Sequence, residues 1–107
     1  MLTMNRPFST LQKDSEDLVS LILEKLNKEP DSVYVLMTYL LAEAGEIADK
    51  VRALEANRIK SEHISKEDLA EEIVDAIYNL MLVANNYEIE LDNSWGKRLK
   101  GIASKFD

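Results

Sequence analysis

The chain lacks cysteine altogether and has only three glycines, two prolines and one histidine among its 107 residues. Without cysteine there are no disulfides and no thiolate metal sites, which fits a reducing cytoplasm. Few glycines and prolines favour helices over strands. The longest apolar run, residues 33–42, is too short to span a bilayer, and residues 1–10 contain no apolar segment typical of a secretory signal. We therefore expect an all-α cytoplasmic protein with no membrane partner.

Positive charge is also scarce. Twenty acidic residues face thirteen basic ones, and the net charge of −7 argues against binding a nucleic-acid backbone. The length and the apolar content of 46% fit one small domain, residues 1–107, with a small core.

Hydrophobic periodicity and capping signals predict four helices. The first runs from Ser9 or Thr10 to Lys28 and is ended by Glu29-Pro30, and the second runs from an N-cap at Asp31 or Ser32 to about Glu55. The third follows a capping-box sequence at Ser65 and runs from Lys66 to about Asn86. The fourth runs from a cap at Asp92 or Asn93 to near Phe106. A polar loop is expected at residues 57–64 and a short turn at residues 87–91.

The third helix is apolar on nearly every side between residues 73 and 84. Four short helices can cover only part of such a surface. We therefore expect the four-helix chain to form an oligomeric helical bundle.

Two pairs of carboxylates interrupt the apolar pattern, Glu43 with Glu46 and Glu72 with Asp75. Each pair is spaced i, i+3, so both side chains lie on one face of a helix, with Cβ atoms about 5–6 Å apart. Unpaired negative charge in an apolar stretch is costly. Four acids brought together there need a cation, and hard oxygen ligands suit Mg²⁺, with Mn²⁺ as the alternative.

Such pairs more often lie on a solvated helix face, as we expect for Asp14 and Asp17. From the chemistry alone, a metal site and a solvated face are therefore both open. A di-iron bundle is disfavoured because it uses Glu-x-x-His pairs, and the single histidine, His63, falls in the predicted loop as a surface residue.

The segment Leu41-Ala-Glu43-Ala-Gly-Glu46-Ile-Ala-Asp49, followed by Asp68-Leu-Ala-Glu71-Glu72-Ile-Val-Asp75-Ala-Ile-Tyr, resembles the MazG-like nucleotide pyrophosphohydrolases of the all-α NTP pyrophosphatase superfamily. Their motif is ExxE, a variable spacer and ExxD. The resemblance covers residues 33–106. It implies a bundle completed by homodimerisation or as a homotetramer.

The resemblance also implies the reaction, which is hydrolysis of a nucleoside triphosphate between the α and β phosphates to give a nucleoside monophosphate and pyrophosphate. The acids that match the family's Mg²⁺ ligands are Glu43, Glu46, Glu72 and Asp75. The chain departs from the family at Ala42, where many relatives carry an acid, at Glu88, where they often carry glycine, and at Ile102, where they often carry asparagine.

Six further residues are candidates for contact with a substrate. Lys97 and Arg98 could grip the triphosphate, or they could form a solvated basic face. Asn79, one turn after Asp75, could contact the nucleotide or a metal-bound water, or could be a buried amide. Tyr34, Tyr39 and Trp95 could stack on a base, although packing in a core or interface is the commoner role of such residues.

Two rival functions stay open. Phosphoribosyl-ATP pyrophosphohydrolase shares the superfamily and the bond that is cleaved. A non-catalytic helical oligomerisation module would keep the fold without a need for divalent ions.

Overall fold

The computed structural model describes residues 7–60 and 65–106, with the backbone alone for residues 57–60. Its helices are α1 (Pro7–Leu26), α2 (Val33–Lys60), α3 (Lys66–Asn86) and α4 (Leu91–Ala103), and a 3-10 turn, Ser104–Phe106, follows α4. The described ranges contain no strand, so the predicted all-α, four-helix class is confirmed. None of the helices in these ranges is both long and apolar enough to cross a membrane.

Two predictions fall outside the described residues. One is the surface position of His63, and the other concerns residues 1–6, the first part of the segment judged to lack a secretory signal.

Helix α1 starts and stops earlier than its periodicity predicts. It begins at Pro7 rather than at Ser9 or Thr10, and it ends at Leu26 rather than at Lys28. Proline is favoured in the first turn of a helix because its fixed φ suits the helix and its missing N–H has no helical partner there. Pro7 therefore explains why the helix begins earlier than its apolar periodicity predicts.

The end of α1 is set by Asn27 and not by Pro30. Asn27 has a φ of 49°, in the left-handed region that asparagine tolerates better than most residues. The Lys28 N–H then bonds to the Leu23 carbonyl at 3.0 Å, which closes a Schellman motif. The helix is therefore already finished before the proline is reached.

Helix α2 is capped as predicted but is longer than predicted. The Ser32 hydroxyl accepts a hydrogen bond from the Val35 N–H at 3.3 Å. The helix continues past Glu55 to Lys60, so the first half of the expected loop is helical. Residues 61–64 of that loop lie outside the described ranges.

Helix α3 has the predicted bounds, and the Ser65 hydroxyl accepts a hydrogen bond from the Glu67 N–H at 3.1 Å. After its end, the Ile89 N–H bonds to the Ala84 carbonyl at 3.0 Å in a second Schellman motif. The residue that must adopt positive φ in this motif is Glu88, at 55°.

Asp92 caps α1 and not its own helix. Helix α4 begins at Leu91, so the prediction that Asp92 or Asn93 would cap it is wrong. The Asp92 carboxylate instead accepts hydrogen bonds from the Phe8 N–H at 3.0 Å and the Ser9 N–H at 3.1 Å. A carboxylate at a helix N-terminus satisfies free N–H groups and opposes the positive end of the helix dipole.

The chain divides into two compact units. We call the described part of Met1–Pro30 with Ala84–Asp107 the terminal unit, and the described part of Asp31–Val83 the central unit. The central unit holds α2 and most of α3, and therefore all four candidate metal-binding acids.

Burial of apolar side chains is incomplete. The buried ones among the described residues are Leu36, Met81, Leu82 and Ala84. Several large apolar side chains of the central unit stay in solvent, including Tyr34 at 83%, Leu41 at 72% and Val74 at 61% exposure. Helix α3 is therefore buried only towards its C-terminal end.

Replacing Glu88 by glycine should stabilise the protein by about 0.5–1 kcal/mol. The left-handed conformation costs a non-glycine residue roughly 1–2 kcal/mol, and glycine gives back about 0.5–1 kcal/mol through its more mobile unfolded state. Urea unfolding of Glu88→Gly measures the gain. Glu88→Gln removes the same charge without relieving the backbone, so an equal gain in that variant would contradict the explanation.

Candidate functional site

The two acidic motifs meet in the central unit. A pocket of about 370 Å³ lies between α2 and α3. The residues that line it are Tyr39, Ala42, Glu43, Glu46, Asp75, Tyr78 and Asn79. The fourth acid, Glu72, interacts with Glu46. The structure therefore brings the ExxE and ExxD residues into one neighbourhood.

Glu43 is the buried member of the set, with 9% of its surface exposed. The Asn79 side-chain amide, itself buried, donates a hydrogen bond to Glu43 Oε1. Glu43 Oε2 is buried as well, and no donor among the described residues reaches it. One oxygen of this carboxylate is thus hydrogen-bonded, while the other has no donor in the part of the chain that the structure describes.

Burial raises the pKa of Glu43 above its ordinary value of 4.5, because the charged form loses solvation. The hydrogen bond from Asn79 lowers the pKa, and the negative charges of Asp75 and Glu46 raise it. The result is a net rise, so the folded protein holds a proton on Glu43 more tightly than an open chain does.

The pKa of Glu72 is also raised, chiefly by the hydrogen bond that protonated Glu72 donates to Glu46. Burial and the charges of Glu46 and Asp75 add to the rise, and the Lys50 ammonium opposes it. Glu72 Oε2 is the second buried carboxylate oxygen without a donor among the described residues. Glu72 therefore holds a proton more tightly in the folded protein than in an open chain, with Glu46 as the acceptor of its hydrogen bond.

The acids are neighbours but not a finished coordination sphere. In residues 7–60 and 65–106, no group of three or more Asp, Glu, His or Cys side chains lies at the spacing that holds a metal ion. The expectation that all four acids converge on one ion stays a prediction.

The remaining predicted site residues are spread over both units. Tyr39 lines the pocket, whereas Tyr34 is exposed on the same helix. Lys97 and Arg98 are exposed on α4, in the terminal unit, and their role in substrate binding stays a prediction. Trp95 packs against Phe8 with ring centroids 5.3 Å apart, which is the packing role weighed against base stacking.

Tyr78 and Lys50 belong to this neighbourhood but were missed from the sequence. Tyr78 lines the pocket three residues after Asp75, so extending the i, i+3 rule from the acids would have found it. The charge of Lys50, on α2, lowers the pKa of Glu72, on α3. Because the two residues lie on different helices, no local spacing in the sequence predicts this interaction.

Gly45 lies between the two acids of the first motif. A glycine inside a helix indicates close approach by another backbone or by a ligand. A Cβ built on Gly45 meets no atom of the described residues within 4 Å, so the chain's own packing does not require glycine here.

The chain is 27% identical over 100 residues to the uncharacterized protein YvdC of Bacillus subtilis (strain 168), an alignment that covers 88% of this chain and 94% of the relative. No family model matches the chain. No solved structure matches it either.

In the absence of metal, the carboxylate cluster should destabilise the fold as the pH rises above 4.5. Glu43 and Glu72 have raised pKa values when folded, so the folded state binds more protons than the unfolded state in this range. The stability that protonation of these two carboxylates contributes is fully present below their pKa in the unfolded chain. It is lost as the pH rises through their pKa values in the folded protein.

Thermal melting in chelator from pH 4.5 to 8 tests this expectation. Because glutamine cannot ionise, the melting temperature of Glu72→Gln should exceed that of the parent by an amount that increases as the pH rises. Glu71→Gln, an exposed neighbour on the same helix, controls for the change in charge. An advantage of Glu72→Gln that is constant over the pH range would show that the explanation is wrong.

Proposed function

We propose that this protein is a Mg²⁺-dependent nucleoside triphosphate pyrophosphohydrolase. The proposal rests chiefly on one observation. Two i, i+3 pairs of acids, separated by 29 positions in sequence, come together at a single pocket: three of the acids line it, and Glu72 interacts with one of those three. Two buried oxygens of these acids have no donor among the described residues. The resemblance to the MazG-like enzymes assigns a function to the same four acids.

The chemistry of the side chains fits a hard divalent cation. Glu43, Glu46, Glu72 and Asp75 offer only oxygen ligands, which suit Mg²⁺ or Mn²⁺ better than zinc. A cation would give the orphaned oxygens of Glu43 and Glu72 the partner that the described residues do not supply. It would also relieve the repulsion between acids that raises the pKa of both groups.

The reaction is the addition of water to the α- or the β-phosphorus of the triphosphate. The bond between that phosphorus and the oxygen that bridges the α and β phosphates breaks, and the products are a nucleoside monophosphate and pyrophosphate. Bound Mg²⁺ would neutralise phosphate charge and lower the pKa of the attacking water. A carboxylate of the set that is not fully used as a ligand would accept the proton of that water.

Other residues would bind the substrate. Tyr39 and Tyr78 line the pocket beside the acids, where an aromatic ring could stack on a base. Lys97 and Arg98 are the basic side chains proposed to hold the triphosphate. A chain of net charge −7 needs such a local positive group to accept a polyanion. A nucleotide substrate also fits the proposed cytoplasmic location.

The proposal includes a homodimer or homotetramer as the working unit. The exposed apolar side chains of α2 and α3, such as Leu41 and Val74, need cover that the described residues do not give. A second copy of the chain is the simplest partner.

The rival that an observation favours is a non-catalytic helical module. The described residues show no preformed group of three metal ligands, as expected of a scaffold. Purified protein assayed for pyrophosphate release on a panel of NTPs and dNTPs, with Mg²⁺ and with excess chelator, separates the two. Release that Mg²⁺ supports and chelator abolishes supports the enzyme, and no release from any nucleotide supports the module.

Asp75→Asn should abolish hydrolysis while leaving the metal-free fold as stable as the parent or more stable. Asp75 is exposed, and its charge raises the pKa of Glu43 and Glu72. Removing that charge reduces repulsion and also removes an anionic metal ligand. Stability and activity should therefore change in opposite directions.

Melting in chelator beside a pyrophosphate-release assay with Mg²⁺ tests this prediction, with Glu71→Gln as the control for charge. A variant that melts well below the parent in chelator would make Asp75 a structural residue. A variant that hydrolyses at the parental rate would remove Asp75 from the proposed site.

Self-association should persist at low micromolar concentration and should be weakened by a charge on α3. Val74, 61% exposed, is the test position, because a lysine there places an ammonium on an apolar surface. Sedimentation velocity of Val74→Lys should show more monomer than the parent, whereas Glu71→Gln should behave as the parent does. A parent protein that is a stable monomer would refute the oligomer.

A further inference from the structure

The side-chain amide of Asn79 serves a buried carboxylate. Buried polar or charged side chains are few among the described residues, namely Ser15, Glu43 and Asn79. Two of these three are hydrogen-bonded to each other across 36 positions of sequence. An amide is costly to bury without a partner, so its burial here depends on Glu43.

The hydrogen bond divides the two oxygens of Glu43. Oε1 accepts from Asn79 Nδ2, while Oε2 is buried without a donor among the described residues. The terminal torsion of a glutamate is broad, so a free carboxylate samples many orientations about it. Fixing one oxygen fixes the plane of the group and therefore the position of the other oxygen.

Asparagine suits this task because its amide is a donor without charge. A lysine or arginine in its place would neutralise Glu43 and compete with a cation. An aspartate would repel it. The amide satisfies one oxygen and leaves the negative charge of the acid set unchanged.

We propose that Asn79 is a positioning residue that orients Glu43 as a metal ligand, rather than a residue that contacts the nucleotide. This inference rests on the proposed function, because it assumes that the four acids hold a divalent ion. Partners behind metal ligands typically change metal affinity by 10- to 100-fold when they are removed.

The test is Mn²⁺ binding measured by calorimetry on the full chain, without nucleotide. Asn79→Ala and the nearly isosteric Asn79→Leu should each bind Mn²⁺ roughly tenfold or more weakly than the parent. Having two variants keeps the test open if one of them does not fold, which circular dichroism checks.

The matched control is Asn85→Ala. Asn85 lies on the same helix, and its amide exchanges hydrogen bonds with Gln12 at 3.0 and 2.9 Å, within the terminal unit and outside the acid set. Its loss should lower the melting temperature and leave Mn²⁺ affinity within about threefold of the parent, since structural sites of this kind act on stability alone.

A double-mutant cycle shows whether Asn79 acts through Glu43. In a Glu43→Gln background, Asn79→Ala should cause little further loss of Mn²⁺ affinity, because the carboxylate that it orients is already gone. A full additional tenfold loss would overturn the inference.

The outcomes separate the two proposals. A parent protein that does not bind Mn²⁺ overturns the proposed function together with this inference. A parent that binds Mn²⁺ while both Asn79 variants bind it equally well overturns this inference alone. An equal loss in Asn85→Ala also overturns it, since the effect would then be a general weakening of the fold.

Discussion

The burial of Glu43 is the constraint on which the rest of the site depends. A carboxylate that is 9% exposed on an apolar helix is unfavourable unless something compensates for the lost solvation. The hydrogen bond from the Asn79 amide compensates for the lost solvation of Oε1, whereas Oε2 has no donor among the described residues. The negative charges of Glu46 and Asp75 further disfavour the ionised form of Glu43. Packing alone gives no reason for such an arrangement, whereas the proposed cation would.

The same constraint limits the stability of the central unit. A chain of 107 residues has little apolar burial to set against repelling carboxylates. Much of the apolar surface of α2 and α3 is exposed, so the helices that hold the acids are weakly supported by the described chain. Binding of a cation and association with another copy would each favour the folded state, because each binds the folded chain and not the unfolded one.

What the sequence could predict was local. Ser32 and Ser65 cap the helices that follow them, and a cap bonds only two or three residues along the chain. The two acid pairs were found because i, i+3 spacing is a property of one helix. The sequence does not predict that Asp92 caps α1, because its partners, Phe8 and Ser9, lie more than 80 residues away along the chain. A residue that suits the N-cap of its own helix can serve another helix equally well.

The bond between Asn79 and Glu43 shows the same limit inside the site. The sequence placed Asn79 on the acidic edge of α3, but the group that its amide would meet depends on how α2 packs against α3. The helix ends show it too. Asn27 and Glu88 both adopt positive φ, yet only the first is a residue type for which that conformation is common. For Glu88, the only signal in the sequence is the resemblance to the MazG-like enzymes, which often carry glycine at this position.

The two carboxylate contacts in the site differ in what they require of a cation. Glu43 is held by a neutral donor, so its hydrogen bond is compatible with a metal ion on the other oxygen. The hydrogen bond to Glu46 favours the protonated form of Glu72 and raises its pKa, whereas the proposed cation would favour the ionised form. The first contact would therefore order the site before the proposed ion binds, whereas the second would have to be replaced by contacts with the ion. Under the proposed function, this difference would let an apolar helix pair tolerate the acidic cluster and still admit a divalent ion.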